Sequence, residues 1–366
     1  MPLDLSPDEA HAYLRAGDAP TPMLDLIGLM AARAAAVGTE LGVFDALGAG
    51  PRGAAELAAE LAADPVGLPA LLDVLVAVGY LSHDGHSYAN RPAADRWLRG
   101  DFANVLTLWV SIVGDLWGDL ATTLRGGTPH VDFYTWLAKE PDRLERFQRL
   151  QRGLAGQLAA EVVERAPLPP NATRLLDLGG GHGGYSVAFC RRHPGLAATV
   201  LDLPAALPVG ASSVAAQGLA ERITFRAGDL AHRVDERDHD VVLLFNVVHG
   251  FAEERARALV CAAVAAVRPG GTVLVLETAP LPNASTVDDA FTRCFSLNLW
   301  HTQGGRVYPP ATLARWLVEA GCEPPETVAL QRSPSHVLLT AHRAAAGIGG
   351  GAAVEGGRTL MEGSAS

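Results

Sequence analysis

Five of the six residues 179–184 are glycine, and a series of acids and a histidine follow them at the ends of apolar runs. Leu175, Leu176 and Leu178 lead into the glycines around one acid, Asp177. Tyr185, Val187, Ala188 and Phe189 continue at helical spacing, and Arg191, Arg192 and His193 close the segment ahead of Pro194. The pattern reads as a buried strand, a Gly-rich turn and a helix. Glycines at 179, 181 and 183 let the backbone turn tightly and lie directly against a ligand, where a Cβ would collide. Three further apolar runs end in polar side chains: 198–203 around Asp202, 223–230 around Asp229, and 240–249 at His249. Asp202 falls about twenty residues beyond the glycines, where a Rossmann-type fold places a carboxylate for a ribose. Acids or a histidine at successive strand ends are the layout of a site along the carboxyl edge of a parallel sheet. A dinucleotide would lay its pyrophosphate over the glycine turn. A ligand without phosphates would leave that turn to an amino-acid moiety.

The elements that must position these groups can be followed along the chain. Residues 1–19 are polar and rich in Pro and Ala and are expected to be a loose lead-in. Residues 20–101 show helical spacing over 20–46, then two short helices at 54–61 and 69–78, then a hairpin over 81–88 with a tight Asp-Gly turn. Helix, turn, helix and hairpin make a winged-helix pattern, whose familiar use is DNA binding. The stretch 66–78 is almost wholly apolar and carries no Arg or Lys to meet phosphates, which argues against that use. Residues 102–166 read as helices rich in large apolar groups, among them Trp109, Ile112, Trp117, Phe133, Tyr134, Trp136 and Phe147. Any one of these aromatics is explained by core packing; together they favour an apolar, aromatic substrate. A Pro-rich boundary at 167–170 opens an alternation of strands and helices that runs to 343. The Gly/Ala/Ser-rich remainder, 344–366, has no core pattern and is expected to be a disordered tail. The fold class is thus α/β Rossmann-like, a mostly parallel sheet with helices on both faces, preceded by a mainly α-helical winged-helix unit.

Composition narrows the function. With 366 residues there is ample length for two or more domains, and 49% hydrophobic with 19% charged residues is ordinary for a globular protein. A net charge of −11 without a basic cluster argues against a nucleic-acid partner. Cys190, Cys261, Cys294 and Cys322 form no Cys-x-x-Cys pair and are expected to be reduced, mostly buried thiols of a cytoplasmic protein, with no metal site. Asp4, Asp8 and Glu9 stand where a signal peptide would be basic. The most apolar helix-like run, 256–267, is too short to span a bilayer, so no membrane association is expected.

The ordered set of 175–183 (Leu-Leu-Asp-Leu-Gly-Gly-Gly-His-Gly), 201–204 (Leu-Asp-Leu-Pro), 227–229 (Ala-Gly-Asp), 246–249 (Asn-Val-Val-His) and 268–271 (Arg-Pro-Gly-Gly) resembles the S-adenosylmethionine-dependent small-molecule O-methyltransferases. Plant phenylpropanoid and bacterial antibiotic-tailoring enzymes make up this family, and the match spans roughly residues 20–343. The resemblance implies S-adenosylmethionine as cofactor, S-adenosylhomocysteine as product and no metal. It implies a homodimer formed through the winged-helix unit, and a small aromatic metabolite as methyl acceptor. Asp177, Gly179, Gly181, Gly183, Asp202, Leu203, Gly228, Asp229, Leu230 and Asn246 would then bind the cofactor, with Asp202 on the ribose hydroxyls and Asp229 near the adenine amino group. A carboxylate, an acceptor-only group at neutral pH, suits a cis-diol. His249 stands where the family places its general base, with Glu277 as its supporting acid. Trp109, Phe147, Asn298 and His301 would line the acceptor pocket, while His182 only fills the glycine turn.

The departures from the family pattern bear on the reaction. Gly250 and Phe251 replace the acid and Trp that commonly follow the base, Phe245 replaces an upstream Lys, and Val307 replaces a second acid that orients the histidine. A phenol, with a pKa of about 10, needs help to lose its proton, and an imidazole held by one carboxylate can still take it. Three readings follow: O-methylation of an aromatic hydroxyl; C- or N-methylation of a similar metabolite; or a non-methylating hydroxylation, decarboxylation or rearrangement on the same cofactor fold. A non-catalytic regulator built on the winged helix stands well behind them.

Overall fold

The computed structural model describes residues 3–100, 103–127, 132–282, 284–333 and 335–345. The chain begins with a capping box: the Ser6 hydroxyl accepts from the Glu9 amide, the Glu9 carboxylate accepts from the Ser6 amide at 2.9 Å, and helix α1 (Pro7–His11) starts there. The lead-in expected to be loose is therefore helical, through α1 and one π-type turn (Ala12–Ala16), although neither element buries a residue. Its signal, Ser-x-x-Glu, is present in the sequence. Next come α2 (Pro22–Glu40) and α3 (Val43–Leu47), parted at Gly42 with φ +83°. They are followed by α4 (Ala54–Glu60), α5 (Gly67–Ala77), the antiparallel hairpin β1 (Leu81–His83) and β2 (Tyr88–Asn90), and α6 (Pro92–Trp97). Phe44, Leu57, Leu72, Leu75 and Leu81 form one buried cluster in this unit. The winged-helix pattern is present as expected.

The connecting helices are α7 (Ala103–Leu116), α8 (Leu120–Leu124), α9 (Phe133–Ala138) and the long α10 (Pro141–Arg165). Their apolar core gathers Ile112, Phe133, Trp136 and Leu137, with Trp109, Trp117 and Phe147 against it. Among the described residues, the helical stretches long and apolar enough to cross a membrane by composition alone are α2 and 103–124, not the 256–267 run. Both are built into the helical unit, with α2 lying against α5 and α7.

From residue 174 the chain alternates strand and helix. The strands are β3 (Arg174–Leu178), β4 (Ala197–Asp202), β5 (Ile223–Ala227), β6 (His239–Phe245), β7 (Val267–Thr278), β8 (Glu326–Ala329) and β9 (His336–His342). The helices between them are α11 (Gly184–Arg192), α12 (Leu207–Ala215), α13 (Glu253–Ala266), α14 (Thr286–Gln303) and α15 (Pro310–Glu319). The sheet order is β5-β4-β3-β6-β7-β9-β8, parallel except for β9, which runs antiparallel to both β7 and β8. Every residue of β6 is buried, as a central parallel strand covered on both faces must be. One apolar cluster on the α13 and α15 side is centred on Trp316, and the other, under α10 and α11, on Phe189. Strand order reverses between β3 and β6, so the turns after these two strands face one crevice. Of the 344–366 tail, residues from 346 onward lie outside the described residues. Cys190 and Cys322 are buried, but Cys261 and Cys294 are exposed, against the expectation for all but one of them; all four are free thiols.

Asp240, at the head of the apolar run 240–249, is the buried second residue of β6. Its carboxylate accepts from the Thr173 amide at 2.6 Å, the Arg174 amide at 2.9 Å and the Thr173 hydroxyl at 3.2 Å, and pairs with Arg268 at 2.5 Å. It thereby ties the start of β3 to β6. Burial acts to raise its pKa, but the two amide bonds and the Arg268 charge outweigh this and hold the carboxyl below its ordinary value. Asp240→Ala is expected to lower stability by about 3 kcal/mol at pH 7 in denaturant titration. Because the folded pKa is depressed, that contribution is full above the unfolded value, and the gap to wild type closes as pH falls through the folded value.

Candidate active site

The glycine turn is forced by geometry. Gly179, Gly181 and Gly183 have φ of +73°, +41° and +69°, a region side chains rarely enter. A Cβ on Gly179 would lie 2.6 Å from Val247 Cγ2, and one on Gly183 2.9 Å from Val214 Cγ2. Asp177 sits beneath the turn, so close that a Cβ on Gly180 would meet its Cγ at 2.4 Å. Burial pushes Asp177 up to about 7, against the pull of the Ser186 hydroxyl, which donates to it at 2.7 Å. Asp202, at the end of β4, accepts from the Gly181 amide and the Leu203 amide, each at 2.7 Å. Burial raises its pKa, opposed by those two bonds. The Gly228 amide donates to the Asp202 carbonyl at 2.9 Å and brings the end of β5 alongside. Leu230 there is buried. Asp229 is half-exposed and locally engaged, accepting from the Ala231 amide at 2.7 Å and facing the His232 ring at 2.8 Å. His182 does fill the turn: its Nδ1 accepts from the Gly184 amide at 2.9 Å, and burial pushes it down to about 4, so it stays neutral.

Across the crevice, β6 is followed by Asn246, held at φ +55°, and the chain turns through Val248–Gly250. Glu277, on β7 and 2% exposed, organises this turn. Its Oε1 accepts from the Val247 amide at 2.9 Å and the Val248 amide at 2.7 Å, while Oε2 bonds His249 Nδ1. With a carboxylate as partner, Nδ1 carries the proton and the Nε2 lone pair is left free. Val307, where a second acid was missing, is buried, and its amide donates to the Ser296 hydroxyl at 3.2 Å. Glu277 therefore holds His249 without a second carboxylate from that position. Gly305 is required nearby, because a Cβ there would come within 2.0 Å of the His249 carbonyl oxygen. His336, opposite Thr278 on β9, is pushed down to about 4 chiefly by burial and adds no charge beside the pair.

The His249 ring meets Phe295 edge-on at 5.2 Å, and Phe295 stacks with Phe291 one turn earlier on α14. Trp109 of α7 stands edge-on to both, at 5.8 Å from Phe291 and 6.0 Å from Phe295. Tyr134, on α9, is half-exposed and stands edge-on to Phe133 at 5.4 Å. Burial, then the charges of Asp202, Asp132 and Glu277, raise its pKa. Phe147 joins the adjacent cluster, edge-on to Phe133 at 5.4 Å. Asn298 and His301 are buried and turned to the end of α7: Asn298 Oδ1 accepts from Trp117 Nε1 at 2.9 Å, and His301 Nε2 meets the Leu116 carbonyl at 2.8 Å. Of the residues expected to line the acceptor side, Trp109 is the one in ring contact with the wall beside His249. Phe291 and Phe295 were missed, although their i,i+4 spacing in an otherwise polar run was a signal of a helix face.

Residues 125–323 match the O-methyltransferase domain, and residues 25–100 match the O-methyltransferase dimerisation domain. A 3-hydroxy-5-methyl-1-naphthoate 3-O-methyltransferase of Streptomyces sahachiroi is 30% identical over 326 residues, which cover 84% of this chain and 91% of that protein. The chain belongs to the O-methyltransferase family. A tetracenomycin polyketide synthesis 8-O-methyl transferase of Streptomyces glaucescens is 28% identical, over 88% of this chain and 99% of its own. The structure of a mitomycin 7-O-methyltransferase superposes with a TM-score of 0.79 at 24% identity, covering 90% of this chain and 99% of that one.

Family membership brings S-adenosylmethionine as methyl donor, S-adenosylhomocysteine as product and no metal requirement, and the turn fits that donor. Two carboxylates, Asp177 and Asp202, border the glycines, so a pyrophosphate would be repelled and a cationic sulfonium with an ammonium favoured. Gln148 Oε1, Asn246 Oδ1 and the Tyr185 hydroxyl, all near the turn, are buried without hydrogen-bond partners, and a ligand bearing hydroxyl and ammonium donors can supply them. Asp177 also gives the ligand-free protein a pH signature. Its folded pKa lies above the ordinary carboxylate value, so stability is full at low pH and falls as pH rises toward about 7. Asp177→Asn is expected to remove that fall, of up to about 4 kcal/mol, in thermal melts of the cofactor-free protein from pH 4 to 8.

Proposed function

We propose that the protein moves the methyl group of S-adenosylmethionine to a hydroxyl of a flat aromatic metabolite, with His249 as general base. The observation that carries this is the juxtaposition of the free Nε2 edge of His249 with the ring wall of Phe295, Phe291 and Trp109. Such a wall stacks against a planar acceptor and excludes water from the base. Acceptors named for the relatives, a hydroxynaphthoate and a tetracenomycin-type polyketide, have this character. The donor, when bound, supplies a methyl group open to in-line displacement. Asp202 and the glycine turn orient it, the aromatic wall aligns the acceptor, and His249 removes the hydroxyl proton as oxygen becomes the nucleophile. Glu277 stabilises the imidazolium that forms.

The reaction is tested by incubating the enzyme with S-adenosylmethionine and a panel of hydroxylated bicyclic and polycyclic aromatics, following S-adenosylhomocysteine and the methylated position together. His249→Gln is expected to lower kcat by about 10²–10⁴-fold with S-adenosylhomocysteine affinity unchanged, and Glu277→Gln to lower it by a smaller factor. Undiminished transfer in His249→Gln would point to an acceptor that needs no base, such as an activated ring carbon.

We also propose the domain limits read from the sequence, with the unit 20–101 forming a homodimer. Met23, Leu26, Leu29 and Met30 of α2 are exposed on the isolated chain, an apolar face that a second copy would cover. Leu26→Glu with Leu29→Glu is expected to convert a dimer to monomers at micromolar concentration in light scattering.

A further inference from the structure

Among the described residues, seven buried side-chain polar atoms lack a hydrogen-bond partner, and Gln148 Oε1 is the one contributed to the glycine turn by a connecting helix. Gln148 lies on α10 and is 5% exposed. A Cβ built on Gly181 would fall 3.2 Å from Gln148 Oε1, 3.4 Å from its Nε2 and 3.4 Å from Asp202 Oδ2. An amide from α10 and a carboxylate from β4 therefore converge on one small space above a glycine whose φ is +41°. Asp202 already has backbone donors at both oxygens, while the Gln148 carbonyl has none. A buried amide oxygen without a donor opposes folding unless something else supplies the hydrogen bond.

We propose that Gln148 is a cofactor-binding residue, its amide oxygen accepting a hydrogen bond from a hydroxyl or ammonium donor of the S-adenosyl ligand beside Asp202. This rests on the cofactor assignment above. The neighbouring Phe147 faces the aromatic cluster at Phe133, so one turn of α10 touches both the donor site and the helices of the acceptor side. Gln148 binds and positions the donor and takes no part in proton transfer.

The test is calorimetric titration of S-adenosylhomocysteine and of 5′-methylthioadenosine, which keeps the ribose but lacks the amino-acid end, into wild type, Gln148→Met and Asp202→Ala. Gln148→Met keeps the side-chain length, and replacing an unpartnered polar end by an apolar one leaves the melting temperature of the ligand-free protein unchanged or raised. Its affinity for S-adenosylhomocysteine is expected to fall about ten-fold. A parallel fall for 5′-methylthioadenosine assigns the partner as a ribose hydroxyl; a fall for S-adenosylhomocysteine alone assigns it as the ammonium. Binding by Gln148→Met within two-fold of wild type, while Asp202→Ala binds weakly, overturns the role of Gln148 and leaves the cofactor assignment standing. Failure of wild type to bind either ligand overturns both.

Discussion

The carboxylate of Glu277 is the interaction on which the catalytic edge depends. It is buried on a central strand and accepts three hydrogen bonds: two from backbone amides of the turn after β6 and one from the His249 ring. A buried carboxylate is tolerated only when its lone pairs are met, and here the donors that meet them belong to the segment that must be held still. The same contact sets the histidine tautomer and the path of the backbone. Loss of the second orienting acid, with Val307 buried in its place, is compatible with a fixed imidazole because the amides of Val247 and Val248 immobilise the turn itself.

The opposite lip of the crevice is governed by charge as much as by shape. Asp177 lies beneath the glycines and Asp202 beside them, and burial raises the pKa of both. Such a place is unfavourable for a second anion and favourable for a ligand that brings its own positive charge. The tight turn places backbone amides, and Asp202 uses one of them, so this acid is part of the turn's own hydrogen bonding.

Motifs whose chemistry is local were readable from the sequence. The strand, glycine turn and helix at 174–192 appear where the apolar run and the glycines put them, Asp202 ends its strand, and His249 lies in the short turn just beyond the end of β6. Contacts made across long sequence separations were not. Phe291 and Phe295 join Trp109 only once α14 folds back over α7, and nothing in their own segment indicates which side faces the base. Asn298 and His301, one face away on the same helix, turn to the end of α7 instead. Asp240 follows a charged stretch in sequence, whereas the partners of its buried carboxylate are the distant Thr173, Arg174 and Arg268. Gln148 is an unremarkable polar residue on a long polar helix until α10 is laid against the glycine turn.

The two halves of the crevice differ in how they are built. The glycine turn and His249 are set by strand ends and by backbone amides, which side-chain replacement elsewhere does not move. The ring wall of Trp109, Phe291 and Phe295 stands on α7 and α14, two helices joined to the sheet by connecting segments, and its surface is made of side chains alone. On the function proposed above, divergence at positions 109, 291 and 295 would retune what is methylated while the methylating apparatus is inherited unchanged. A lineage with this architecture can explore new products by small steps, and an engineer can follow the same route.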